Sequence, residues 1–139
     1  MRTSVLISIV ALLSVGLAIF GAPRLHSQAA SPAEPETVMA TFHVVEGKEA
    51  DFQQVLLREW DTYTKGKLVF DQPHLVLRGK EPGGKTYFVD IFTWISRATP
   101  DNPPASVLAI WQSMGPLVEE RNGHPSMEIN EVQLIAPKR

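Results

Sequence analysis

GKEPGGKTYFVDIFTW, residues 79–94, decides the fold, because its two halves invite incompatible readings. Gly79, Gly84, Lys85 and Thr86 fit G-x-x-x-x-G-K-[ST], the spacing of a phosphate-binding loop. Such a loop works only where its glycines open a helix whose N-terminal amides cradle the phosphates. After Lys85 the chain runs TYFVDIFTWIS, rich in aromatic and β-branched residues with a period of two, which is the composition of a strand. Pro82 also stands inside the loop. The stretch therefore predicts a hairpin turn, KEPGG, between two antiparallel strands, and no nucleotide.

Working outward, LVFDQPHLVLRG (68–79) is the strand before that turn and KTYFVDIFTWIS (85–96) the strand after it. Pro73 cannot donate to a ladder, so the earlier strand belongs at an edge or carries a bulge. TVMATFHVV (37–45) alternates, with Val38, Ala40, Phe42 and Val44 on one face and Met39, Thr41, His43 and Val45 on the other, and predicts the first strand. EADFQQVLLREWDTY then places Phe52, Val55, Leu56, Trp60 and Tyr63 at helical spacing, with acids in the first turn and Gly66 past the end. After the proline-rich RATPDNPPAS, the residues Val107, Leu108, Trp111, Met114, Leu117 and Val118 recur at helical spacing, divided at Gly115-Pro116. Asn122-Gly123 ends that helix, and SMEINEVQLIA (126–136) is a closing strand.

The order β-α-β-β-α-β predicts an α+β, ferredoxin-like arrangement: a four-stranded antiparallel sheet with both helices on one face. Both faces of the first and third strands carry bulky apolar residues, so a second copy of the sheet is the expected cover and a homodimer the expected assembly.

The N-terminus carries Arg2, an apolar run over 5–22 and then small and polar residues, the order of a secretory signal peptide. Ser27-Gln28-Ala29 places cleavage near Ala29. The predicted organisation is a signal peptide at 1–29, a linker at 30–36 and one domain at 37–136, exported to the periplasm or secreted. An uncleaved segment would instead anchor the chain in a membrane. Cleavage leaves 110 of the 139 residues, enough for one core. Losing Arg2 and Arg24 leaves 11 basic residues against 15 acidic ones, a formal −4 that argues against nucleic acid as a partner. With no cysteine, there is no disulfide and no thiol chemistry.

VVEGKEADFQQVLLREW, residues 44–60, resembles the start of the antibiotic biosynthesis monooxygenase-like group within the dimeric α/β-barrel superfamily. In that group a first strand runs into a Gly-Lys-Glu turn and a helix with an early Phe, as Gly47, Lys48, Glu49 and Phe52 do here. In element order the resemblance spans 37–136. Two features depart from the family pattern: Glu46 stands where a proline is usual, and the second helix contains Gly115-Pro116. The resemblance implies a dimeric α/β barrel. It also implies one of three roles: a cofactor-free monooxygenase, a haem-binding protein, or a non-catalytic binding or assembly domain. A haem would be held non-covalently, since no CxxCH is present.

Asp90 is the acid that most needs a partner, because it shares a strand face with Phe88, Phe92 and Trp94. Strand alternation across neighbours groups these with Met39, Thr41, His43, His74, Val76 and Arg78 on one face, expected to line a barrel interior that binds a small aromatic or apolar molecule. In the functional reading Asp90, His43 and His74 are catalytic: Asp90 orients a histidine that accepts a proton from a phenolic or enolic substrate, and Phe92 and Trp94 hold its ring. In the structural reading Asp90 pairs with Arg78 or a histidine and fixes the dimer register. No metal site is expected, since His43, His74, Asp90 and Glu128 lack paired ligand spacing. His124 lies in a polar turn and is expected in solvent.

Overall fold

The computed structural model describes residues 31 and 33–135, so the predicted signal peptide, and with it any anchor, lies outside the described residues. The elements come in the expected order: β1 (Glu36–His43), α1 (Glu49–Lys65), β2 (Val69–Lys80), β3 (Thr86–Trp94), α2 (Ala105–Met114), a 3-10 turn (Gly115–Leu117) and β4 (Met127–Glu131). All neighbours in the sheet are antiparallel, in the order β2-β3-β1-β4. This is the predicted ferredoxin-like α+β fold.

Local chemistry accounts for the boundaries. In the hairpin loop the Glu81 amide donates to the Lys85 carbonyl at 2.9 Å, and the Gly84 amide to the Glu81 carbonyl at 2.9 Å. Gly83 and Gly84 sit at φ +100° and +86°, where a side chain would be strained. The next element is a strand, not a helix, and Lys85 Nζ reaches Glu119 at 2.9 Å, so the segment is a turn. β2 is an edge strand, and its pairing with β3 shifts register between Val69 and His74, around Pro73. α2 gives way to a 3-10 turn at Gly115, where Pro116 has no amide to continue the helix.

Register decides which face each side chain occupies, and here one expectation is corrected. Val38 lies opposite Phe92, Ala40 opposite Asp90 and Phe42 opposite Phe88, while on the other side of β3 His74 meets Phe92, Val76 meets Asp90 and Arg78 meets Phe88. Even-numbered residues of the three strands therefore share one face. That face lies under the helices: Phe52 packs on Phe42 and Phe88 with ring centroids 5.0 and 5.4 Å apart, and Tyr63 on Phe92 and Trp94 at 5.4 and 4.7 Å. Phe88, Asp90, Phe92, Trp94 and His74 thus belong to the sheet–helix layer and not to a barrel interior. Met39, Thr41 and His43 occupy the opposite face, paired with Ile91, Val89 and Tyr87. The expected single face joined two sets that differ by one residue in register, and one residue reverses a side chain's direction. Leu75 and Leu77 also point to that opposite face and are 48% and 53% exposed, so it has no cover among the described residues.

Candidate functional site

α1 presents Phe52, Val55, Leu56 and Tyr63 to the sheet, and the fifth buried residue of the same stripe is Glu59. Only 4% of Glu59 is exposed. A carboxyl in an apolar stripe must find donors, and it finds two. Tyr63, one turn on, donates its hydroxyl proton to Glu59 Oε1. Trp111 Nε1, from α2, reaches the same oxygen at 3.1 Å and the Tyr63 hydroxyl oxygen at 2.6 Å. Both helices are thereby tied to one carboxyl.

This triad lines a cavity of about 880 Å³ between the sheet and the helices. Its inner wall is apolar and aromatic, with Val38, Ala40, Phe42, Phe92 and Trp94 beside Tyr63 and Trp111; β4 contributes Met127 and Ile129. Arg97, Asn102 and Glu131 also line it. The volume and character suit a small aromatic molecule.

The site holds two acids near neutrality. Burial strips water from the Glu59 carboxylate and raises its pKa to about 7, although the bonds from Tyr63 and Trp111 pull the other way. Burial likewise raises Asp90 to about 7, and the nearby negative charge of Glu59 adds to it, against a backbone hydrogen bond at Ile91. Burial first, and the Glu59 charge second, push the Tyr63 hydroxyl upward, so it stays protonated. Asp90 Oδ1 and His74 Nε2 lie 3.3 Å apart but are not aligned as a hydrogen bond, and neither has another partner among the described residues. His74 stacks flat on Trp60, centroids 3.5 Å apart, and burial lowers its pKa. A neutral His74 beside Asp90 fits both shifts.

The structure therefore joins Asp90 with His74, Phe88, Phe92 and Trp94 on one face, and separates them from His43, Thr41 and Met39. Arg78 sits over the Phe88 ring at 5.8 Å and is exposed, not paired with Asp90. His43 occupies a smaller hollow on the open sheet face, its Nδ1 2.6 Å from Glu81 and its Nε2 3.4 Å from Glu128, with Thr41 beside it. His124 is largely exposed and meets Glu128 at 2.9 Å. Among the described residues no group of three or more metal-ligating side chains is placed to hold a metal ion.

No protein-family model matches the chain, and no curated protein matches it significantly. Solved structures do. A putative antibiotic biosynthesis monooxygenase from Caulobacter crescentus CB15 aligns with a TM-score of 0.55 at 18% identity, covering 76% of this chain and 93% of its own. SnoaB, a cofactor-independent oxygenase from Streptomyces nogalater, aligns with a TM-score of 0.55 at 16% identity, over 76% and 97% of the two chains. A putative antibiotic biosynthesis monooxygenase from Nitrosomonas europaea aligns at 0.55 and 12%, over 79% and 99%. The fold is that of the antibiotic biosynthesis monooxygenase-like proteins.

On this monooxygenase-like fold the residues missed from sequence are Glu59, Tyr63, Trp111 and Arg97 as cavity groups; by spacing alone Tyr63 and Trp111 belong to helical core stripes. The available signal was Glu59 itself, an acid at the position where the stripe of Phe52, Val55 and Leu56 continues to Tyr63. Among the described residues that line the cavity there is no histidine, so none of them offers a haem iron an imidazole.

Proposed function

We propose that this chain is an exported, homodimeric oxygenase that binds a small phenolic or enolic aromatic between its sheet and helices and oxygenates it with dioxygen and no cofactor. The observation that carries the reading is Glu59, a buried carboxyl with a pKa of about 7 on the wall of an aromatic cavity. A base that titrates near the working pH is half available as carboxylate, which is where general-base catalysis is most effective. Tyr63 and Trp111 fix its Oε1, and the aromatic wall of Phe92 and Trp94 orients a planar ring.

Glu59 accepts the phenolic or enolic proton, and the resulting electron-rich anion gives one electron to O2. Recombination of the two radicals forms a C–O bond at the activated methylene, and the resulting peroxide anion takes the proton back from Glu59 to give a hydroperoxide. Loss of water from that hydroperoxide, with the second methylene hydrogen, leaves a carbonyl, so that R2CH2 + O2 gives R2C=O + H2O and the substrate supplies every electron. The open sheet face with Leu75, Leu77, Val89 and Ile91 supports the dimer, since an apolar sheet face needs a cover. The apolar run at 5–22 supports export.

Oxygen uptake with 1,8-dihydroxyanthrone tests the reading. Wild type consumes O2 above the uncatalysed rate, and Glu59→Gln loses about 10²-fold or more, the contribution of a general base. Binding without oxygen uptake assigns the chain to non-catalytic binding and defeats the oxygenase reading.

A further inference from the structure

Three buried side-chain nitrogen or oxygen atoms lack a hydrogen-bond partner among the described residues: His74 Nε2, Asp90 Oδ1 and Arg97 Nε. The first two face each other at 3.3 Å. Arg97 Nε has no such neighbour, and Arg97 lines the large cavity. An N–H is a donor, so what this atom lacks is an acceptor, and a buried donor without one is costly.

Arg97 has a defined place. It lies three residues past the end of β3, and its backbone amide donates to the Glu34 carbonyl at 3.0 Å. Its Nη2 donates to Glu131 Oε1 at 2.8 Å, from β4. Nε–H and the neighbouring Nη2–H form one edge of the guanidinium, the edge that a carboxylate spans with two parallel bonds. Glu131 engages one of its two nitrogens. Its side chain is 59% exposed, so this ion pair is a weak, solvent-screened one that a competing anion displaces cheaply. Among the described residues lining the cavity Arg97 is the only one with a positive charge. The acids that line it do not repel an anion equally: Glu59 is about half protonated near neutrality, Asp101 is exposed to water, and Glu36, half-buried on β1, is the one that opposes an anion most directly.

We propose that Arg97 is the anion subsite of this cavity: a ligand bearing a carboxylate or other oxyanion on its aromatic frame takes the Nε/Nη2 edge and displaces Glu131. The proposal rests on the reading of the cavity as a ligand site and names the ligand's class, an acidic aromatic. Arg97 then anchors one end of the ligand, and Glu131 acts as a competing internal anion that holds the guanidinium in place when no ligand is bound.

Two fluorescent probes with one skeleton separate this from the underlying reading: N-phenyl-1-naphthylamine, which is neutral, and 8-anilino-1-naphthalenesulfonate, which adds an oxyanion. Both are titrated into full-length mature protein and into Arg97→Gln and Glu131→Gln variants, with folding checked by circular dichroism. The expected result is that the sulfonate binds wild type more tightly than the neutral probe and loses about tenfold in Arg97→Gln, the worth of one charged hydrogen-bonded contact, while the neutral probe changes less than about twofold. Glu131→Gln should tighten the sulfonate alone. An Arg97→Gln variant that binds both probes as wild type does overturns the anion subsite while leaving the cavity reading intact. Failure of both probes to bind wild type removes the cavity reading as well.

Discussion

Replacing Glu59 by glutamine should make the protein more stable at alkaline pH, the reverse of what removing a doubly hydrogen-bonded side chain ordinarily does. In the folded chain burial raises the Glu59 pKa from 4.5 to about 7. A raised carboxyl pKa means that the protonated form is the one the fold prefers. Its contribution is fully present below about pH 4.5 and is lost as pH rises through about 7. At 1.36 kcal/mol per unit, the loss across that window is about 3 kcal/mol. Glutamine has nearly the same shape, cannot ionise, and keeps a carbonyl oxygen to accept from Tyr63 and Trp111, so Glu59→Gln should match wild type at about pH 4 and exceed it by up to about 3 kcal/mol at about pH 9. Urea unfolding followed by tryptophan fluorescence, at matched protein concentration across this range, measures the difference directly. If wild type and variant keep a constant gap from pH 4 to pH 9, Glu59 carries no burial penalty and its assignment as a near-neutral base is wrong. The same substitution should cut oxygen uptake by about 10²-fold or more, so stability and activity would move in opposite directions, as expected where a desolvated group serves function.

Three further outcomes are expected from the same geometry. In Glu59→Gln the Asp90 titration, followed by carboxyl NMR, should move below its wild-type value of about 7, because the charge of Glu59 is one of the two causes that raise it. Phe52→Ala should cost about 3–5 kcal/mol in chemical unfolding, since Phe52 is wholly buried between Phe42 and Phe88. Leu77→Glu on the open sheet face should shift the chain to monomer in analytical ultracentrifugation without unfolding it; an unchanged dimer would place the interface elsewhere.

Element order was legible in the sequence because each segment carries its own period and punctuation: alternation in 37–45, the Phe52-to-Tyr63 stripe, glycines in the 79–86 turn, and Pro116 at the break in the second helix. The site was legible only in part. Asp90 announced itself as an acid among aromatics, and its closeness to His74 comes from neighbouring strands. Its face did not, because either face of β3 is apolar: Phe88, Phe92 and Trp94 on one side, Val89 and Ile91 on the other. Composition cannot say which of two apolar faces the helices take. Glu59 and Arg97 were hidden for another reason. A single charge on a helix or in a loop reads as solvated, and its burial is created by contacts with residues distant in sequence: Trp111 lies 52 residues beyond Glu59, and Glu131 lies 34 beyond Arg97.

The proposed function turns on a ligand entering the cavity beside a carboxyl that titrates near neutrality. Carbon-13 NMR of the Glu59 side-chain carboxyl, assigned by comparison with Glu59→Gln and titrated with and without N-phenyl-1-naphthylamine, reads out both halves of that statement. A midpoint near 7 is expected in the free protein, together with a change in that midpoint when the probe fills the cavity. A midpoint near the ordinary 4.5, or one indifferent to the probe, would contradict it.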